Sequence, residues 1–260
     1  MADFFKLVHN ENLKIYLRVR TWIMLGLLAV ITAVIPMLIS LVSDQVSVWD
    51  GIALTTLFTF FLNTTFTVIV AADSVAGEFT WGTIKLLLIR PWTRSKILLS
   101  KYISVILFSL LGTIVLVLMV TLSSWLMLSR DAPAGSVPLF SDPISYVTLN
   151  FLYSYIALFV TMAFAFMLSA VFRSSALAIG LSLFMMFTKT VYNSIGLFST
   201  DRFEWTKYVL FTHMDLKKYL DMPPGTVSSN LTFSLAVLAA YYVVFIAIAW
   251  VVFVKRDVST

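Results

Sequence analysis

The sequence has no cysteine and little charge. Without thiols the chain can form no disulfide framework, no cysteine-ligated metal site and no thiol chemistry. Charged residues make up only 12% of the 260 positions, about half of what a soluble domain carries. Hydrophobic residues make up 60%, and the mean hydropathy is +0.95. This much apolar surface requires lipid as its solvent, so we expect an integral membrane protein with no room for a separate globular domain.

Six apolar segments are long enough to cross a membrane, which takes about 20 residues for a hydrocarbon core of about 30 Å. They cover approximately residues 22–42, 52–72, 102–128, 146–172, 175–197 and 231–254. Because lipid offers no partner to unpaired backbone groups, each span should be a helix. The predicted fold is therefore an all-α polytopic membrane protein, with residues 1–260 forming a single transmembrane domain.

The basic residues are distributed unequally between the two sides of these spans. If the N-terminus lies inside, twelve Lys and Arg residues fall on the inner side, five on the outer side, and Lys189 within a span. The positive-inside rule then predicts that both termini are cytoplasmic. The first apolar run is too long for a signal peptide and lacks a cleavage site. We expect a multi-pass protein of the cell membrane, the inner membrane in a bacterium.

Two segments outside the spans also carry patterns that predict structure. Residues 1–21 predict an amphipathic interfacial helix that binds membrane lipid, and a cytoplasmic partner could share it. Its predicted apolar face comprises Phe4, Val8, Ile15, Val19 and Trp22.

Residues 198–230 predict a structured outer segment. Asp201 with Glu204 is typical of a helix start, Phe203, Leu210 and Met214 could face the membrane surface, and 223–225 should end the helix. A surface helix, a re-entrant hairpin and an irregular loop remain open alternatives.

Catalysis is not expected. An intramembrane hydrolase or protease needs paired carboxylates, a Ser–His arrangement or a metal motif at membrane depth. No Asp or Glu lies well inside any span, and His9 and His213 fall on opposite predicted sides. We therefore predict no enzyme activity, no metal site and no cofactor in this chain. The missing intramembrane carboxylates also disfavour an ion-coupled carrier, and charges that flank membrane spans do not indicate nucleic-acid binding.

The stretch Gly77–Thr83 has the glycine spacing of a phosphate-binding loop, but the chemistry is absent. Thr83 occupies the position where the lysine that contacts the phosphates should stand, and no buried strand precedes Gly77. We therefore do not expect this chain to bind ATP.

Three polar residues within spans are candidates for a translocation path: Asn63, Lys189 and Asn193. An intramembrane charge indicates a functional site by default. Lys189 could instead extend outward to the interface, and the two asparagines could bond between helices. With Thr64 and Thr65 these residues make spans two and five the predicted lining of the path.

The loop 73–101 carries the most distinctive pattern. Glu78, Gly82–Thr83, the apolar run 86–89, Pro91, Arg94 and Lys101 follow one another in order. The pattern resembles the E-x-x-x-G-T, apolar stretch, P-x-x-R and closing K of ABC-2-type permeases, the membrane subunits of one class of ABC exporters. Six spans, an amphipathic N-terminal helix and an outer segment before the last span are similar too.

That resemblance implies a cytoplasmic coupling helix between spans two and three, docked on a separate ABC ATPase subunit that holds ATP and Mg. It also implies a second permease copy, in a homodimer or a heterodimer. Glu78 would pair with a basic group, Gly82 would permit a bend, Trp81 and the leucines would fill an apolar groove, and Arg173 would mark a second contact. The implied coupling residues are Glu78, Trp81, Gly82, Thr83, Leu86, Leu87, Pro91, Arg94 and Arg173.

The expected function is thus an exporter permease for an amphipathic substrate such as a peptide, drug or lipid. The alternative is a non-transporting membrane scaffold, or an immunity or sensing factor that docks a partner through the same loop. The loop could also simply lie on anionic lipid.

Overall fold

The computed structural model describes residues 2–43, 46–83, 92–130, 142–195, 207–221 and 230–255. Across these ranges the chain forms nine helices and no strand. The helices are α1 (Ala2–Tyr16), α2 (Val19–Val42), α3 (Val48–Thr80), α4 (Arg94–Met127), α5 (Pro143–Val171), α6 (Ser175–Ile195), α7 (Leu210–His213), α8 (Lys218–Asp221) and α9 (Leu231–Lys255).

Six of these helices, α2 to α6 and α9, are long and apolar enough to span a membrane. Large apolar side chains such as Val42, Phe58 and Phe184 remain exposed on their outer faces, as lipid-facing side chains would. The all-α polytopic fold with six spans is confirmed. Two spans run further than hydropathy predicted, because α3 continues to Thr80 and α4 already begins at Arg94.

Helix α3 is the centre of the bundle, and it packs against α2, α4, α5 and α6. Ala71, Ala72 and Ala76 on its inner face are fully buried. The Ser169 hydroxyl on α5 accepts hydrogen bonds of 3.0 Å from the backbone N–H groups of Val75 and Ala76. Small side chains thus let the two backbones approach closely, as is usual between membrane helices.

Helix α1 ends earlier than the predicted 1–21 helix, and the reason is local. The Thr21 hydroxyl donates to the Ile15 carbonyl at 2.5 Å, and the Trp22 indole donates to the Tyr16 carbonyl at 2.8 Å. These side chains satisfy carbonyls that the end of a helix leaves open, so the chain can turn before α2 begins. Helix α1 then packs on α4.

Different helix ends meet at the two ends of the bundle. We call the end that holds α1, the last turns of α3 and α9 and the first turn of α4 the terminal end; there Arg94 Nη1 donates to the Val254 carbonyl at 3.2 Å. At the opposite end the Val48 N–H donates to the Ser129 carbonyl at 3.1 Å.

Residues 207–221 pack over the opposite end. His213 is completely buried, with Nδ1 2.6 Å from the Ser234 hydroxyl and Nε2 2.7 Å from the Lys207 carbonyl. The Tyr146 hydroxyl donates to Asp221 at 2.7 Å. This part of the predicted outer segment is therefore structured, whereas Asp201, Phe203, Glu204 and 223–225 lie outside the described residues.

Candidate functional site

Glu78 lies in a closed ring of four charges at the terminal end. Lys14 Nζ is 2.7 Å from Glu11 and 2.8 Å from Glu78, and Lys101 Nζ is 2.7 Å from Glu11 and 3.1 Å from Glu78. Helix α1 supplies Glu11 and Lys14, α3 supplies Glu78, and α4 supplies Lys101. The ring therefore joins three helices, and it pairs Glu78 within the chain.

The ring is stable because each buried charge has two partners of opposite sign. Lys101 and Glu11 are only 3% and 6% exposed, so an unpaired charge there would be very costly. Burial by itself raises the pKa of Glu11, but Lys101 and Lys14 outweigh it and lower that pKa. Burial likewise lowers the pKa of Lys14, and Glu11 with Glu78 raises it overall. Glu11 and Lys14 are therefore charged near neutral pH.

A second ionic cluster lies beside the ring. Arg18, Arg20 and the Ser175 hydroxyl all donate to the carboxylate of Asp73. Gly77 lies one turn further along α3, and a Cβ there would sit 2.8 Å from an Asp73 carboxylate oxygen. Glycine leaves room for this carboxylate, which ties the junction of α1 and α2 to the first turn of α6.

The last turn of α3 presents an exposed tryptophan. Trp81 is 75% exposed, and Gly82 follows it with a φ of +68°, a left-handed conformation that favours glycine. The Thr83 hydroxyl folds back and donates to the Glu78 carboxylate. The Ser175 N–H donates to the Thr80 hydroxyl at 3.2 Å, which brings the turn after α5 next to this site.

The structure thus gathers Glu78, Trp81, Gly82, Thr83 and the backbone of Arg173 at one place, since the Thr80 hydroxyl also lies 3.5 Å from the Arg173 carbonyl. Arg94 lies at the same end. Leu86, Leu87 and Pro91, which belong to the rest of the predicted coupling segment, lie outside the described residues.

An open groove of about 1010 Å³ lies beside Trp81. Its wall combines basic side chains (Lys14, Arg18 and Arg20) with Asp73 and Glu78 and with the apolar Ile179. A groove with an exposed aromatic rim and fixed charges can receive a partner, because aromatic and arginine side chains are enriched in protein interfaces.

The candidate path residues separate in the structure. Asn63 is buried, and its amide donates to the Thr113 hydroxyl at 3.1 Å, between α3 and α4. Thr65 donates to the Phe61 carbonyl of its own helix at 2.9 Å. Asn193 lies in α6, but its side chain is outside the described residues.

Lys189 and Thr64 instead line a cavity of about 250 Å³ between α3, α5, α6 and residues 214–217. Asp215 and Lys217 share its wall, and sequence reasoning missed both as site residues. Glu11 was missed too, although its spacing of three residues from Lys14 was a usable signal. Among the described residues, no group of three His, Asp or Glu side chains could hold a metal ion.

Comparison with known proteins gives a family without an assigned function. A family model described as "Protein of unknown function (DUF2705)" matches residues 23–259. The uncharacterized protein YhcI of Bacillus subtilis (strain 168) is 37% identical over 222 residues, which cover 82% of this chain and 70% of that protein. The uncharacterized membrane protein YdbK of the same organism is 30% identical over 195 residues, 74% of this chain and 76% of that protein. The chain therefore belongs to the DUF2705 family.

Proposed function

We propose that this protein is the membrane subunit of an ATP-driven exporter of the ABC-2 type, and that a separate ATPase subunit docks at its terminal end. In this proposal the terminal end faces the cytoplasm, in agreement with the excess of basic residues there. The observation that carries the proposal is Trp81, an exposed aromatic side chain on a rigidly held helix end beside an open groove.

A docking element must pass on force as well as bind. The ring of charges fixes the last turn of α3 to α1 and α4, and the Asp73 cluster fixes it to α6. A push on Trp81 would therefore reach three spans directly rather than only bend a loop. The helical extension of α3 beyond its predicted span supports the same role, because a continuous helix moves as a rigid body.

The ring changes how the resemblance to ABC-2 permeases applies to Glu78. Its carboxylate is already occupied by Lys14, Lys101 and Thr83, so we do not assign it to a basic group of the partner. Glu78 instead positions the helix end, and Trp81 makes the contact. Substitution of Glu78 would disturb the fold and the docking together, which makes Trp81 the sharper probe.

The proposed cargo is an amphipathic molecule, because the spans are apolar and carry few polar side chains. The transporter would contain two membrane subunits, either two copies of this chain or this chain with a related permease.

The test is to purify the tagged chain from membranes of its native host. We expect an ATPase subunit with a complete phosphate-binding loop to co-purify, with measurable ATP hydrolysis. Trp81→Ala should lower the amount of bound ATPase at least fivefold. Trp125→Ala is the matched control, because Trp125 is also exposed (51%) but lies at the opposite end.

The proposal fails if no ATPase accompanies the wild-type chain, or if both variants retain it equally. A stable partner without ATP hydrolysis, lost on Trp81→Ala, would favour the scaffold or sensing alternative.

A further inference from the structure

The cavity at the opposite end has an electrostatic imbalance that the ring of four charges lacks. Its wall carries two basic side chains, Lys189 from α6 and Lys217 from segment 207–221. It carries one acidic side chain, Asp215. Within the described parts of the chain, neither ammonium makes an ion pair within 4 Å. The site thus has one positive charge in excess.

The pKa of Lys217 reflects this environment. Burial lowers the pKa of Lys217; Asp215 and Asp221 act against that, and Lys189 lowers the pKa further. Two like charges in one cavity repel each other, and an anion placed between them would relieve both the repulsion and the loss of hydration. The favoured occupant therefore carries a negative group.

The rest of the wall is largely apolar. Leu57 and Phe61 from α3 and Met185 from α6 lie on it. Methionine and aromatic side chains adapt to flexible hydrocarbon chains. The volume of about 250 Å³ lies just below the range of about 300–1,000 Å³ that is usual for sites of drug-sized molecules, so a two-chain phospholipid is too large.

We propose that this cavity binds a single-chain amphiphile with one anionic headgroup, which Lys189 and Lys217 contact while the hydrocarbon chain lies along Leu57, Phe61 and Met185. Binding needs only this chain. That the bound molecule represents the exported substrate class rests on the proposed function.

The experiment measures equilibrium binding of radiolabelled dodecanoate to the purified chain in phosphatidylcholine nanodiscs. We expect saturable binding to the wild type. Lys189→Met and Lys217→Met should each weaken it about tenfold, as expected for the loss of one charge-assisted hydrogen bond. Lys218→Met is the control. Lys218 is adjacent to Lys217, but it donates to the Thr212 carbonyl at 2.9 Å and does not line the cavity. The affinity of this variant for dodecanoate should stay within twofold of the wild-type value.

A second variant tests the cavity without changing charge. Ser154 lines the cavity, and its buried hydroxyl makes no hydrogen bond among the described residues, so Ser154→Leu fills space without breaking a bond. It should also weaken dodecanoate binding at least tenfold. This variant keeps the inference testable if a lysine variant fails to fold.

Three results would overturn the inference. The first is equal binding by wild type and the Lys189→Met/Lys217→Met double variant. The second is equally tight binding of dodecyltrimethylammonium, which has the same chain and the opposite charge. The third is complete displacement of dodecanoate by phosphatidylglycerol in the nanodisc, which would identify a lipid headgroup site instead. None of these results depends on an ATPase, so this failure is distinct from failure of the exporter proposal.

Discussion

Charge is handled differently at the two ends of this bundle. At the terminal end, Glu11, Lys14, Glu78 and Lys101 form a closed ring, and their charges cancel. At the opposite end, Lys189 and Lys217 share a cavity with Asp215, and the positive charge is in excess. Paired charges fix helices to one another, whereas two lysines that make no ion pair among the described residues leave a place for a ligand. On this difference we base the proposal that one end serves mechanical coupling and the other end binds a ligand.

The largest effect should follow from breaking the ring at its most buried member. Lys101→Met leaves Glu11 and Glu78 with Lys14 alone, and loss of one partner from a buried ion pair costs about 3 kcal/mol or more. We expect the free energy of unfolding, measured by titration with sodium dodecyl sulfate in mixed micelles, to fall by this amount.

Lys96→Met is the matched control for this variant. Lys96 is exposed on the same helix, with its Nζ 5.7 Å from the centre of the Trp92 ring. It should change stability by less than about 0.5 kcal/mol. Similar losses in the two variants would mean that the ring does not hold α4 in place.

A smaller effect should come from the middle of the bundle. A Cβ on Gly112 would overlap the Asn63 side-chain oxygen, so Gly112→Ala must displace the amide that bonds to Thr113. Overpacking of this kind costs about 1–3 kcal/mol. Gly26→Ala in α2 meets nothing within 4 Å and should be neutral, or stabilising by up to about 1 kcal/mol.

Dodecanoate binding should be unchanged in Gly112→Ala, because Asn63 belongs to helix packing and not to the cavity. Weaker dodecanoate binding in this variant would contradict the separation of helix packing at Asn63 from ligand binding in the cavity.

The ring should also give the protein a defined pH range of stability. The folded-state pKa of Glu11 is lowered, so its contribution is present above the unfolded value of about 4.3 and is lost as the pH falls through the folded value. The pKa of Lys14 is raised, so its contribution is present below about 10.4 and is lost as the pH rises through the folded value.

Thermal unfolding temperatures should therefore be nearly constant between about pH 5 and pH 9 and decline on both sides. In Glu11→Gln the acid-side decline should be shallower than in the wild type. An unchanged acid limb would mean that Glu11 adds nothing to stability.

The smallest effect on stability should come from the cavity, where replacing a lysine by methionine is not expected to destabilise the fold. Lys189→Met removes a charge that has no ion-pair partner among the described residues, so unfolding free energy should change by less than about 0.5 kcal/mol or rise. The same titration as for Lys101→Met gives the direct comparison. A loss above about 2 kcal/mol would show that Lys189 is structural.

Hydropathy was sufficient to predict the six spans, because lipid imposes both their length and their composition. The ends of the helices were harder to predict, since they depend on partners far apart in sequence. Glu78 pairs with Lys14, 64 positions away, and with Lys101, and these pairs accompany the extension of α3 and α4 beyond the predicted spans. Pattern reasoning identified Glu78 and predicted that it pairs with a basic group, but it did not identify Lys14 and Lys101 as the partners.

The residues of the cavity could likewise be predicted only in part from the sequence. Lys189 was recognisable as a lone charge in a span, and Thr64 as a polar residue on span two. Asp215 and Lys217 come from a segment whose packing over α5 and α6 no periodicity indicates. Asn63 was also a candidate for the path, with a bond between helices as its alternative. Its amide bonds to Thr113 and Gly112 lies opposite it, so it packs between helices.

The most direct measurement uses the absence of cysteine from this chain. Trp81→Cys and Trp125→Cys would each carry a single thiol, labelled with benzophenone maleimide and irradiated in native membranes. The account predicts that position 81 crosslinks to an ATP-binding subunit, identified by mass spectrometry, and that position 125 does not. Equal crosslinking from both positions, or no ATPase adduct from position 81, would contradict it.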